Sequence, residues 1–240
     1  MFTWDGAGFG EDGTLWGGEA FLGHPGAWRR VASLRPFSLL GGERAAREPW
    51  RSALALCWET GRAWTECAAE PGLLRHAWER NVNCPRTSSA GRLFDAAAAL
   101  LGLTTHASFE AQAPMAVEAA ASGDADPIAL PLCERDGVWL SDWAPLLDVL
   151  MDATSPIAVR AAVFHSTLAG AVLDQARIVR EIHGVARLGL TGGVFQNRVL
   201  CERVSRLAEE DGFEVVIPGR LPCNDAGLSF GQIIEAGALS

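Results

Sequence analysis

The sequence contains no lysine and no tyrosine, so arginine supplies all 20 of the residues counted as Lys or Arg. A chain without lysine has no side-chain amine for a Schiff base and no P-loop lysine to bind nucleotide phosphates. The five histidines show no H-x-x-x-H or H-E-x-x-H spacing. This absence excludes a local histidine zinc motif.

The chain also lacks paired cysteines, since its six cysteines are far apart and include no C-x-x-C. Disulfide frameworks and structural zinc sites use closely spaced cysteines, so we expect reduced thiols and a cytoplasmic location. The N-terminus lacks the features of a signal peptide, and charges interrupt the long apolar stretches, which predicts no membrane span. A net charge of −9 and a pI near 5.0 argue against a nucleic-acid partner.

Length and patterning predict an α/β protein. At 240 residues, with 49% hydrophobic and 20% charged residues, the chain is typical of one large or two small globular domains. Short apolar runs between Gly and Asp turns predict a β-meander over residues 1–42, and helical spacing predicts a helical insertion over 43–122. Residues 123–240 form the α/β part. The predicted strands lie at 2–4, 14–22, 31–37, 185–190 and 213–217, with short strands within 124–140, and the clearest late helices at 157–183, 198–210 and 228–239.

Three polar turns follow predicted strands, and they are the first candidates for a site. They are Asp5-Gly6-Ala7-Gly8, Thr191-Gly192-Gly193 and Asn224-Asp225-Ala226-Gly227. In open α/β sheets, ligands bind outside the carboxyl ends of strands. The glycine pair precedes a predicted helix, so its backbone can approach an anion beside free N–H groups, which suits a nucleotide phosphate. The alternative is a tight strand–helix turn without a ligand.

Two aspartates in these turns are candidate ligands of a metal or of a Mg-nucleotide. Asp5 and Asp225 offer the carboxylate oxygens that hard and borderline cations prefer. Each has a structural alternative, because Asp is favoured in Asp-Gly turns and at helix N-caps. Asn197 lies in the helix after the glycine pair and could donate and accept at the same ligand. Its alternative is a solvated helix residue.

Two further acidic residues are weaker candidates. Asp95 lies three residues after Arg92 on a predicted helix, and such a spacing is more often a surface ion pair than a site. Glu110 could contact a ribose, but acidic residues are also favoured in the first turn of a helix. Taken alone, the residues predict an actin-like or RNase-H-like α/β domain with a nucleotide site.

Six segments resemble the carboxyl-terminal part of the HypF family of hydrogenase-maturation carbamoyltransferases. The resemblance covers essentially the whole chain. The segments are DGAGFGEDGTLWGGE (5–19), GGERAAREPWR (41–51), NCPRTSSAGRLFDAAAALLGL (83–103), SFEAQAPMAVEA (108–119), LTGGVFQNRVL (190–200) and LPCNDAGLSFGQ (221–232).

The resemblance implies a fold, a reaction and a set of site residues. The fold is an RNase-H-like lobe with a helical insertion, of the actin/Hsp70/sugar-kinase superfamily, similar to the tRNA threonylcarbamoyl transferases. The family uses ATP to make carbamoyl-adenylate and passes the carbamoyl group to the C-terminal Cys of HypE, for the cyanide ligand of [NiFe] hydrogenase. A divalent Fe, Zn or Mg ion is expected at Asp5 and Asp225. The expected substrate and nucleotide residues are Gly6, Asp95, Glu110, Gly192, Gly193 and Asn197.

The sequence departs from the family pattern in two respects. Its H-x-x-x-H metal motif does not occur here, and Ala226 stands where a Gly is usual after the Asp. We therefore expect the chain to be the second lobe of the carbamoyl-transferring domain, with an incomplete metal site and with other HypF segments supplied in cis or in trans. The alternative is a non-catalytic nucleotide-binding or docking lobe left by truncation.

Overall fold

The computed structural model describes residues 1–65 and 71–239. The strands are β1 (Phe2–Phe9), β2 (Leu15–His24), β3 (Ala27–Leu34), β4 (Phe37–Ser38), β5 (Arg86–Thr87), β6 (Leu132–Arg135), β7 (Val138–Ser141), β8 (Arg187–Thr191) and β9 (Glu214–Val216). The α-helices are α1 (Trp50–Glu59), α2 (Pro71–Glu79), α3 (Ala90–Leu100), α4 (Gln112–Ala120), α5 (Leu146–Met151), α6 (Ile157–His183), α7 (Arg198–Glu210) and α8 (Leu228–Leu239). Short 3-10 turns cover Gly42–Ala46, Gly193–Gln196 and Asp225–Gly227.

One mixed sheet organises the chain, with the strand order β6-β7-β3-β2-β1-β8-β9. The first three strands form the predicted antiparallel meander, and β1 then pairs in parallel with β8, which pairs in parallel with β9. Because β1, β8 and β9 are parallel, the turns after β8 and β9 lie at the same edge of the sheet as the far half of β1. The α/β class predicted from the sequence is confirmed.

The first strand differs from its prediction in an informative way. We predicted that it ends at residue 4 before a turn, but β1 continues to Phe9. Its register with β2 shifts between Trp4 and Gly8, so Asp5 to Ala7 form a bulge rather than a terminating turn. Gly17 of β2 permits this, because a Cβ there would lie 2.7 Å from the Asp5 carbonyl oxygen. The bulge turns Asp5 and Gly6 toward the sheet edge.

A long buried helix forms the centre of the core behind the sheet. By length and composition alone α6 is able to cross a membrane, but 67% of its most apolar window is buried inside the protein. Phe164 of α6 packs edge-on against Phe94 of α3, with ring centroids 4.9 Å apart. α6 is therefore the central core helix, and it supports both α3 and α7.

The apolar run at 127–133, predicted to be a short strand, is mostly not a strand, since β6 begins only at Leu132. Pro127 and Pro131 have no backbone N–H to donate to a neighbouring strand. Five cysteines are free thiols, namely Cys57, Cys84, Cys133, Cys201 and Cys223. Cys67 lies outside the described residues.

Candidate functional site

The three polar turns meet in one cleft with a volume of about 620 Å³. This size falls within the range of small-molecule sites. The bulge of β1, the start of α3, the start of α4 and the turns after β8 and β9 form its walls. The lining residues are Asp5, Gly6, Gly91, Arg92, Phe94, Glu110, Ala111, Pro114, Met115, Glu118, Gly193, Val194, Gln196, Asn197, Asn224, Asp225 and Ala226.

Asp5 and Gly193 face each other closely across the cleft floor. The Asp5 carboxylate accepts a hydrogen bond from the Gly6 N–H at 2.7 Å. A Cβ on Gly193 would lie 3.0 Å from the same Asp5 oxygen, so a side chain there would press on the carboxylate. The close backbone approach expected for the glycine pair is thus present at Gly193.

Gly192 does not line the cleft, unlike Gly193, and supports it from beneath. Its φ is +100°, and a Cβ would overlap the Trp4 carbonyl oxygen, so only glycine fits between β8 and β1. Its N–H donates to the Cys223 carbonyl at 2.6 Å. This bond ties the turn after β8 to the loop that carries Asp225.

Asn197 is a buried helix cap and not the solvated helix residue of the alternative interpretation. It is 8% exposed, and its Oδ1 accepts from the Leu200 N–H at 2.9 Å at the start of α7. Its Nδ2 lies 3.0 Å from His165 Nε2, and His165 Nδ1 lies 2.7 Å from the Ala161 carbonyl oxygen. Since that carbonyl can only accept, His165 donates from Nδ1 and accepts from Asn197 at Nε2. Burial lowers the pKa of His165 to about 4, which keeps this ring neutral.

Asp95 and Arg92 do not form the surface ion pair of the alternative interpretation. Asp95 is 2% exposed and lies behind the cleft wall, with its Oδ2 at 3.1 Å from Arg92 Nη1. Burial raises the pKa of Asp95 to about 7, although the Arg92 charge opposes this shift. Arg92 itself lines the cleft. The sequence indicated the pair but not that its basic member faces the cleft.

α4 and the residues before it supply the opposite wall. Glu110 is exposed, lines the cleft and precedes α4, so it is not a first-turn helix residue. Ala111 has a left-handed backbone with φ of 61°, which turns the chain into the helix. Glu118 of α4 accepts from the Arg198 N–H at 2.9 Å and links this wall to α7. Met115 presents an exposed thioether to the same wall.

The residues present do not fit a complete metal site. Asp5 and Asp225 both line the cleft, but residues 1–65 and 71–239 contain no group of three or more His, Cys, Asp or Glu side chains that could hold a metal. Two carboxylates alone are a poor donor set for a transition metal. The cleft therefore offers a ligand backbone N–H groups and side chains rather than a complete metal centre.

A buried carboxylate that sequence analysis missed supports the cleft from the β2 side. Glu19 is fully buried and accepts from the Gly18 N–H at 2.7 Å, from the Ser33 hydroxyl at 3.0 Å and from the Ser88 hydroxyl. The next residue, Ser89, donates its hydroxyl to the Asp5 carbonyl at 3.0 Å and caps α3. Glu19 therefore fixes the start of α3 relative to the bulge. A glutamate after two strand glycines was the available signal.

Comparison with known proteins identifies the chain. The family of carbamoyltransferases described as the Kae1-like domain, second subdomain, of HypF matches residues 1–232. The chain belongs to this HypF family. A carbamoyltransferase HypF of Rhodobacter capsulatus is 39% identical over 98% of this chain and 31% of that protein. A carbamoyltransferase HypF homolog of Cupriavidus necator is 38% identical over 95% of this chain and 62% of that protein.

A solved HypF structure has the same fold. The crystal structure of full-length HypF in the phosphate- and nucleotide-bound form has a TM-score of 0.92 and 29% identity, over 99% of this chain and 32% of that one. The α/β fold is thus that of the Kae1-like domain of HypF, and the expected RNase-H-like lobe of the actin/Hsp70/sugar-kinase superfamily is consistent with it. The chain spans less than two thirds of the length of these HypF proteins.

Proposed function

We propose that this HypF chain binds an adenine nucleotide in the cleft of the three turns and contributes this site to carbamoyl transfer. The observation that carries the proposal is the convergence of Asp5, Gly193 and Asp225, from three separate segments, on one cleft. Glycine backbone at the sheet edge suits phosphate oxygens, and the exposed Met115 offers apolar surface to a base. The nucleotide-bound HypF structure, which shares this fold, supports the same assignment.

Within this proposal, the substrate is carbamoyl-adenylate made with ATP, and the acceptor is the C-terminal Cys of HypE. The thiolate attacks the carbamoyl carbon, a C–S bond forms, and the bond to the adenylate phosphate oxygen breaks, so that AMP leaves. The role assigned to this chain is to hold the adenylate with its carbamoyl group accessible and to exclude water around it. The reaction takes place in the cytoplasm.

Further HypF polypeptide, in cis or in trans, is the proposed cover for α8. The structure describes every residue of α8, and none of these residues is buried. Its exposed apolar side chains are Leu228, Phe230, Ile233, Ile234 and Leu239. An apolar surface of this kind marks an interaction site. It adjoins the 3-10 turn of Asp225, so a cover on α8 would also close one side of the cleft.

Calorimetry with AMP tests the nucleotide site. We expect the chain alone to bind AMP more weakly than micromolar, since a cleft without its cover desolvates a ligand poorly. Gly193→Val should abolish binding, because its side chain fills the space beside Asp5. Gly72→Val, in the first turn of α2 where an added Cβ meets no atom within 4 Å, is the matched control. Equal AMP affinity in wild type and Gly193→Val would contradict the site.

A mass shift on HypE tests the transfer. The chain is mixed with HypE, carbamoyl phosphate and ATP, and the C-terminal Cys of HypE is analysed for a carbamoyl group. We expect no shift from the chain alone and a shift when the remaining HypF segments are added. A shift without them would contradict the need for other segments. Binding of AMP without any shift under either condition would favour the non-catalytic docking lobe.

Co-elution tests the proposed cover. Ile233→Asp should weaken association of the chain with the other HypF segments, because it places a charge on the exposed face of α8. Leu73→Asp on α2, where the leucine is 79% exposed, is the control that leaves association unchanged. Association that survives Ile233→Asp would exclude α8 as the contact.

A further inference from the structure

The charged side chains that line the cleft are mainly acidic, and their negative charge opposes the binding of a nucleotide phosphate. Four carboxylates line it, from Asp5, Glu110, Glu118 and Asp225. A nucleotide phosphate entering such a site is repelled unless a cation offsets the field. Among the described lining residues, Arg92 is the one with a positive charge.

The guanidinium of Arg92 is held in the cleft beside the glycine backbone of the β1 bulge. Arg92 lies at the start of α3, where its backbone N–H is capped by the Ser89 hydroxyl at 3.1 Å. Its Nη2 lies 3.9 Å from the position of a Cβ on Gly6, in the bulge of β1. The side chain is 14% exposed, so most of its surroundings are protein. A largely desolvated guanidinium beside a glycine backbone is well suited to bind a phosphoryl group.

The hydrogen bonds of this guanidinium are incomplete. Arg92 Nε is buried without a hydrogen-bond partner among the described residues, and so is Asp95 Oδ2. The two side chains are in ion-pair contact at 3.1 Å, between Arg92 Nη1 and Asp95 Oδ2. Buried polar groups are nearly always paired, so an arginine with an unused buried N–H suggests a ligand that is present in the working state. Asp95 contacts Nη1, which leaves Nη2, on the Gly6 side, for that ligand.

We infer that Arg92 binds the phosphate of the nucleotide, with Asp95 as its positioning residue. The inference rests on the proposed function, because it assumes that the cleft takes a nucleotide. It adds that the chain recognises the phosphate of an adenylate through one arginine. The ligand class is a nucleoside 5′-phosphate ester, which includes both AMP and an acyl-adenylate.

Binding of AMP and of adenosine to the full chain separates the phosphate from the rest of the ligand. In wild type, AMP should bind more tightly than adenosine, and added salt should weaken the binding of AMP but not that of adenosine. In Arg92→Gln, the affinity for AMP should fall about tenfold or more, as expected for a lost charge-assisted bond. The affinity for adenosine should stay the same. Arg198→Gln, where the side chain is 79% exposed, removes the same charge nearby and should change neither affinity.

Arg92→Lys covers the case in which Arg92→Gln does not fold, which a thermal melt reveals. The lysine keeps the charge but lacks the planar fork, so AMP affinity should fall by less and adenosine affinity should not change. An equal loss of affinity for AMP and for adenosine in either variant would overturn the inference, as would an unchanged affinity for AMP. Wild-type protein that binds neither compound would instead overturn the proposed function together with the inference.

Discussion

Replacing His165 by glutamine should remove one loss in the free energy of unfolding, the loss that this histidine causes as the pH falls below neutrality. His165 of α6 is fully buried against the Asn197 cap, and burial lowers its pKa from 6.5 to about 4. Between these two values the unfolded chain binds a proton that the folded chain does not. Stability from this group is therefore complete above pH 6.5 and is lost as the pH falls toward 4. The full shift corresponds to about 3 kcal/mol.

Asp95 changes the free energy of unfolding in the opposite direction over a similar pH range. Burial raises its pKa from 3.8 to about 7, so the folded chain binds the extra proton between those values. Its contribution to stability therefore grows as the pH falls from 7 to 3.8, and it partly masks the effect of His165 in wild type. Difference curves between variants and wild type are needed to separate the two groups.

Urea unfolding followed by tryptophan fluorescence at several pH values measures these differences. In His165→Gln, the amide oxygen of the new side chain can still accept from Asn197, but the side chain does not titrate. The wild-type advantage over His165→Gln should shrink by about 2–3 kcal/mol between about pH 7.5 and about pH 4.5. Asp95→Asn is the control and should show the reverse slope relative to wild type. A wild-type advantage over His165→Gln that is constant with pH would refute the assignment of a buried neutral histidine.

Two further predictions concern the support of the cleft. Gly192→Ala should lower the free energy of unfolding by about 2 kcal/mol or more, because its Cβ would overlap the Trp4 carbonyl and because the φ is positive. Gly212→Ala, also at positive φ but in open space, should lower the free energy of unfolding clearly less in the same urea titration. Equal losses would contradict the contact with Trp4. Glu19→Gln should cost about 2–4 kcal/mol, since it turns an amide toward donors that need an acceptor, whereas the exposed Glu11→Gln should be neutral. A neutral Glu19→Gln would show that the carboxylate does not organise the start of α3.

Elements with strong periodicity and clear ends were predictable from the sequence. The predicted helices at 157–183, 198–210 and 228–239 match α6, α7 and α8, since their apolar spacing is regular and Pro156 and Gly184 flank the longest one. The convergence of the three polar turns also followed from the sequence, because parallel strands end at a common edge.

Features that depend on contacts between distant residues were not predictable. The bulge at Asp5 depends on two residues that are not close to it in sequence. Gly17 leaves space for the displaced backbone, and the Ser89 hydroxyl donates a hydrogen bond to the Asp5 carbonyl. The role of Asn197 as a cap depends on His165, which lies 32 residues earlier in the core. Arg92 and Asp95 looked like a surface pair because spacing along a helix does not show which face is buried. Helical periodicity of Leu93, Phe94 and Ala97 was present, but the charged face was assumed to be solvated.

An amide NMR titration of the chain with AMP would show whether the turns around Gly6, Gly193 and Asp225 form one nucleotide site. We expect chemical-shift changes to concentrate at these turns and at the start of α3, and to saturate with a single dissociation constant. Changes confined to other surfaces, such as the β2–β3 turn at residues 24–27, or an absence of saturable changes at the three turns, would contradict the proposed site.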